Sequence, residues 1–203
     1  MSGHSHAKTI KRIKEASDKK RGQIFSKMAR LISVAVKEGG PTPDTNPKLR
    51  IAIEAARSAN MPKENIDRAI KRGTGEDVSA EKLEEVIFEA FGPGGIAIII
   101  EGITDNKNRT LGEIKQILNQ QGAKMTGEGG VRWMFERKSK EPGSLEWEPK
   151  QEIEVSTKDR EACEKLFETL DENEAVQEIY SNLVAEPSPH LPPRPASQDS
   201  IKE

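Results

Sequence analysis

The charges of this chain are sorted by position, and that sorting limits what it can fold into more than any other feature. Residues 1 to 73 carry 17 Lys and Arg against 7 Asp and Glu, a net of +10, whereas residues 74 to 203 carry 15 against 27, a net of −12. The near-neutral total of −2 hides both halves. Like charges repel when crowded away from water, so each half must keep its excess on its own surface. The expected product is a basic module joined to an acidic one. A short basic run would be read as a solvated helix face; an excess sustained over so long a stretch points to a surface for polyanions.

The basic half has helical periodicity. Ile10 and Ile13 are three apart, and Ile24, Met28, Leu31, Ile32 and Ala35 form one apolar stripe at i, i+4, i+7, i+8 and i+11. Gly39, Gly40, Pro41, Pro43 and Pro47 then interrupt any helix. Asn46 and Pro47 offer an N-cap and first turn to a helix with the face Leu49, Ala52, Ile53 and Ala56. A further helix follows Pro62, with Ile66, Ala69 and Ile70 as its stripe, Glu64–Arg68 and Asp67–Lys71 as i,i+4 pairs, and Gly73 as its stop. The candidate nucleic-acid-binding residues are Lys8, Lys11, Arg12, Lys14, Lys19, Lys20, Arg21, Lys27, Arg30, Arg50, Lys71 and Arg72.

Beyond the polar run from Thr74 to Ala80 the periodicity changes. EVIFEAF, GPGG and IAIIIEG (residues 85 to 102) read as strand, turn and a central strand buried on both faces. The glycines are assigned to a turn, because a phosphate loop would need a helix directly after them. Asp105, Asn106 and Asn108 lack the spacing of a calcium loop and are assigned to capping the helix that carries Leu111, Ile114, Ile117 and Leu118. VRWMFE reads as an alternating strand with Trp133 in the core, RKSKEPGSLEWEPK as a loop, and EIEV as a short strand. A helix bearing Ala162, Leu166, Phe167 and Leu170 and a strand over VQEIYSNLV complete the pattern. The fold class is α+β: a basic helical nucleic-acid-binding domain over 1–75, a ferredoxin-like α+β domain over 80–184 with two helices on one face of a mostly antiparallel sheet, and a disordered Pro-rich tail over 185–203.

With a mean hydropathy of −0.72 no membrane span is expected, and MSGHSHAK has no apolar leader region, which points to a cytoplasmic protein. The single cysteine, Cys163, is expected to be an inert buried thiol. No nucleophilic, Walker or HExxH motif is present, and the histidines are His4, His6 and His190, so no enzyme activity, cofactor or small-molecule substrate is expected. No metal site is expected either, beyond weak copper or nickel binding in vitro at His4 if Met1 is removed.

The chain resembles the YebC/PmpR family, which includes the mitochondrial translational activator of cytochrome c oxidase. The resemblance is carried by Ser2-Gly3-His4-Ser5, Lys20-Arg21-Gly22, Asn46-Pro47, Asn60-Met61-Pro62, Arg68-Ala69-Ile70-Lys71-Arg72-Gly73, Phe91-Gly92-Pro93-Gly94-Gly95 and Thr104-Asp105-Asn106, and runs to about Leu183. It implies a helical domain followed by two α+β domains, the third inserted in the second. Between Glu136 and Glu152 there are too few residues to bury a core, so the third domain is expected to be missing. His6-Ala7 also departs from the family's Lys-Trp.

The resemblance further implies either a DNA-binding transcriptional regulator or a ribosome-associated factor that relieves stalling at proline runs. No base-reading element accompanies the basic helices, which favours backbone contact with structured RNA and therefore the ribosome. DNA binding is the alternative, and a protein-binding adaptor using the acidic domain is a second.

Overall fold

The structure is a computed structural model that describes residues 18–75, 83–141 and 144–184. His4, Lys8, Lys11, Arg12, Lys14 and the Pro-rich tail lie outside the described residues. The described part of the basic half holds three helices: α1 (Asp18–Gly39), α2 (Pro47–Ser58) and α3 (Lys63–Gly73). Met28, Ile32, Ala35 and Val36 of α1 form one buried cluster with Leu49, Ala52, Ile53 and Ala56 of α2 and Ile66 and Ala69 of α3, so the helices meet along the stripes that periodicity marks. Each fully buried large aliphatic residue here, Ile32 and Leu49 among them, contributes about 1.5–3 kcal/mol.

Two polar residues fix how the helices meet. Buried Asn46 accepts from the Leu49 N–H at the start of α2, while its amide donates to the Ala35 and Gly40 carbonyls at the end of α1 (2.7 and 2.9 Å), so one side chain caps two helix ends. Buried Ser33 donates to Ala69 O (2.9 Å), tying α1 to α3. Gly73 completes that contact: a Cβ there would come within 2.6 Å of Ser33 O and Val36, so only glycine lets the two helices approach this closely.

The second half is a four-stranded antiparallel sheet in the order β3-β1-β2-β6, with β1 (Glu84–Phe91), β2 (Ala97–Thr104), β3 (Lys124–Met125) and β6 (Val176–Ser181). Helices α4 (Lys107–Gln120) and α5 (Thr157–Asp171) cover one face, burying Ile114, Leu118, Cys163, Leu166 and Leu170 against Ile96, Ile98 and Ile100. This is the α+β layering expected of a ferredoxin-like domain, with the β1–β2 hairpin as its central pair. Ile98, Ile99 and Ile100 are all fully buried, because β2 is covered on both faces. Asn106 caps α4 as expected, accepting from Arg109 N. Burial pushes the Cys163 thiol up to about 11, which keeps it protonated and unreactive near neutral pH.

Four expectations are corrected, three of them on the other face of the sheet. RKSKEPGSLEWEPK is no loop but a hairpin, β4 (Phe135–Glu141) with β5 (Ser144–Pro149), that covers this face. Phe135 and Trp147 of the hairpin pack with Ala97 and Ile99 of β2, Trp147 and Arg137 both donate to Glu101 on β2 (2.8 and 2.6 Å), and the Arg137 guanidinium lies 4.5 Å from the Trp147 ring centroid. VRWMFE is not a continuous strand: Arg132–Met134 form a 3-10 turn, and the sheet's remaining edge strand is Lys124–Met125. Trp133, expected in the core, is 64% exposed, while Val131 and Phe135 on either side of it are buried. EIEV contributes only a parallel bridge between Ile153 and Leu183.

Glu89 explains the turn. Its buried carboxylate accepts from the backbone N–H groups of Gly129, Val131 and Arg132 (2.8–2.9 Å) and pairs with the Arg132 guanidinium, so these amides are not available to a ladder. Burial alone would push this carboxyl up, but the three N–H donors and Arg132 outweigh it and hold it below its ordinary value. A carboxyl depressed on folding contributes stability above its unfolded pKa and loses it as pH falls through the lower folded value. Glu89→Gln is therefore expected to cost about 1–3 kcal/mol at pH 7 and progressively less toward pH 3, measured by urea unfolding across pH; a loss independent of pH would contradict the assignment.

Candidate nucleic-acid interface

The cations proposed from the sequence divide into two groups. Lys27 and Arg30, expected on the outward surface, face the α+β half instead. Lys27 is only 8% exposed and donates to the Asp171 carbonyl (2.5 Å) and to its carboxylate (3.1 Å). Arg30 donates to the Glu174 carbonyl (2.5 Å) and carboxylate (3.2 Å). Asp171 ends α5, where unpaired carbonyls and the helix dipole attract a cation and draw Lys27 inward, while the Glu174 carbonyl and carboxylate draw in Arg30. Beside them Val34, Leu83 and Ile103 form a small buried cluster that seats α1 on the sheet.

Other cations point outward. Lys20, Arg21, Arg50, Lys71 and Arg72 are exposed, and Lys19 lies in the first turn of α1. On α3, Arg68, Lys71 and Arg72 form an exposed row with no salt-bridge partner among the described residues. Asn60, with a φ of +58°, makes the tight turn that sets α3 beside α1. Between these two helices runs a groove of about 250 Å³. It is lined by Phe25, Ala29, Met61 and Ala69, buried or half-buried and taken as its apolar floor, and by Ser26, Arg30, Asn65, Arg68 and Arg72, polar and half-buried to exposed, taken as its rim.

Arg30 and Arg72, 42 positions apart, thus share a groove with Arg68, which the sequence reading left out. The Glu64–Arg68 pair that i,i+4 spacing suggests does not form among the described residues. The available signal was the i, i+3, i+4, i+7 series Asn65, Arg68, Ala69 and Arg72, one helix face facing α1. Among the described residues no group of three or more His, Cys, Asp or Glu could hold a metal ion, and no helix is long and apolar enough to cross a membrane.

A basic three-helix unit seated on a hairpin-covered α+β sheet is the class of architecture defined here. The model of the TACO1/YebC protein N-terminal domain matches residues 5–76, and that of the TACO1/YebC second and third domain matches 83–141 and 140–183. The chain belongs to the TACO1/YebC family. A probable transcriptional regulatory protein of Fervidobacterium nodosum is 38% identical over 237 residues, covering 90% of this chain and 94% of that protein. One of Dictyoglomus turgidum is 53% identical over 138 residues, 68% of this chain and 55% of its own length. The crystal structure of a conserved hypothetical protein from Aquifex aeolicus superposes with a TM-score of 0.75 at 31% identity, covering 90% of this chain and 94% of that one.

The alignment with the Fervidobacterium protein is longer than the 203 residues of this chain, so that relative carries sequence with no counterpart here. The two stretches matched by the second model meet at residues 140–141, at the tip of the β4–β5 hairpin. The interval from Glu136 to Glu152, too short for an inserted domain, is filled by that hairpin.

The division between inward and outward cations has a measurable consequence. Lys27→Ala is expected to cost about 1–3 kcal/mol by urea unfolding, because it strips the buried partner from the end of α5. Lys71→Ala and Arg72→Ala should stay within about 0.5 kcal/mol of the unaltered chain. Equal losses at all three positions would contradict the division.

Proposed function

We propose that this chain is a non-enzymatic, nucleic-acid-binding regulator of gene expression, acting as a ribosome-associated translation factor that contacts RNA and relieves stalling at proline runs. The observation that carries nucleic-acid contact is the outward row Arg68, Lys71 and Arg72, left unpaired among the described residues while Lys27 and Arg30 are spent internally. Cations kept free of carboxylates beside an acidic body suit a polyanionic partner. Lys20, Arg21 and Arg50 are also exposed, on α1 and α2, and Lys8, Lys11, Arg12 and Lys14 belong to the same proposed set of contacts.

DNA binding is the second reading, and two observations favour it. The relatives are named probable transcriptional regulatory proteins, and α2 and α3 are joined by a tight turn like that of a helix-turn-helix. In such motifs the N-terminal residues of the second helix read the base edges. On α3 those positions hold exposed Lys63, Glu64 and Asp67, of which the two carboxylates are repelled by phosphates, while three of its four cations, Arg68, Lys71 and Arg72, lie in its second half. That arrangement suits backbone and shape recognition, the usual mode for folded RNA.

Reversing Arg68, Lys71 and Arg72 to Glu is expected to abolish cosedimentation with ribosomes at about 0.15 M salt and to leave the helical content unchanged. A defined DNA site bound ~1,000-fold more tightly than random duplex, with no ribosome association, would overturn the RNA reading in favour of transcription.

A further inference from the structure

We infer that the groove between α1 and α3 receives one unpaired nucleotide of a single-stranded RNA segment, its base against the apolar floor and its flanking phosphates on Arg68 and Arg72 at the rim. The inference rests on the nucleic-acid reading above and specifies what that surface selects. A surface that meets only phosphates needs cations and nothing else. Here the space between Arg30, Arg68 and Arg72 is also lined by Phe25 and Met61, which bring an aromatic ring and a polarizable thioether to it.

The size of the groove narrows the occupant. At about 250 Å³ it falls below the ~300–1,000 Å³ of pockets that enclose a whole small molecule, which leaves space for a base with its sugar and phosphates outside. Planar bases stack on aromatic side chains and on guanidinium planes. The Asn65 amide and the Ser26 hydroxyl, both on the rim, can each donate to or accept from a base edge. Arg68 has no ion-pair partner among the described residues, and Arg72 likewise, so neither must give up a carboxylate to take a phosphate. A duplex keeps its base faces stacked inside and presents none to the floor, so the groove should prefer single strands.

The test uses the full chain and three probes: a single-stranded RNA of mixed sequence about ten nucleotides long, the same backbone with abasic ribose throughout, and the corresponding duplex. Affinities are measured by fluorescence anisotropy at one salt concentration. The base-bearing strand is expected to bind about 5- to 100-fold more tightly than the abasic one, the range of one stacked base. Phe25→Leu, which keeps an apolar side chain and loses the aromatic face, should reduce that ratio without weakening abasic binding; Arg68→Gln should weaken both strands by the same factor. Equal affinity for the base-bearing and abasic strands would overturn the groove inference and leave the backbone-binding reading intact, as would a duplex bound more tightly than the single strand. Failure to bind any of the three would overturn both. Should Phe25→Leu fail to fold, the comparison of the two strands on the unaltered chain decides the matter alone.

Discussion

Where α1 meets the end of α5, two cations settle how the halves of the molecule sit. The Lys27 ammonium reaches the last carbonyl of α5 and the carboxylate of the same residue, and Arg30, one turn on, does the same to Glu174. A helix C-terminus buried without donors would be costly, and a lysine brought to 8% exposure without acceptors costlier still, so each satisfies the other. Apolar contact through Val34, Leu83 and Ile103 then adds affinity without fixing orientation. Once α1 is held in this way, its remaining surface and the face of α3 stay open to a partner.

Much of this was legible in the residues. The helix stripes, the Asn46 and Asn106 caps, the turn at Gly92–Gly95 and the doubly buried β2 follow from periodicity and turn chemistry, which act over a few positions. What the sequence hid involves partners far apart in the chain. The β4–β5 hairpin is held by pairs such as Arg137 opposite Trp147 and Lys138 opposite Glu146, so no apolar alternation announces it. Trp133 sits in an alternating pattern and is still turned out, because Glu89, more than forty residues earlier, claims the amides before it. Lys27 looked like any solvated cation until its partner 144 residues away was in view.

The candidate interface was legible in part for the same reason. Net charge points to the basic half, and helical spacing put Lys71 and Arg72 on an outward face, where both are exposed. Charge alone could not separate cations that bind inward from those left free, nor reveal that α1 and α3 leave a groove between them. That groove depends on a small contact: Ser33 bonded to Ala69 O and Gly73 packed against Val36 set the spacing of the two helices. A larger residue at either position would move the arginines relative to the floor without touching any of them.

The central claim is that the outward face of α1 and α3 meets RNA and the sheet does not. Amide hydrogen exchange on the full chain, free and bound to ribosomes, tests it most directly. Slowed exchange in α3 and the first turns of α1, with β1, β2 and β6 unchanged, is the predicted result. Protection confined to the sheet and its β4–β5 hairpin, with α3 exchanging as in the free chain, would contradict the account.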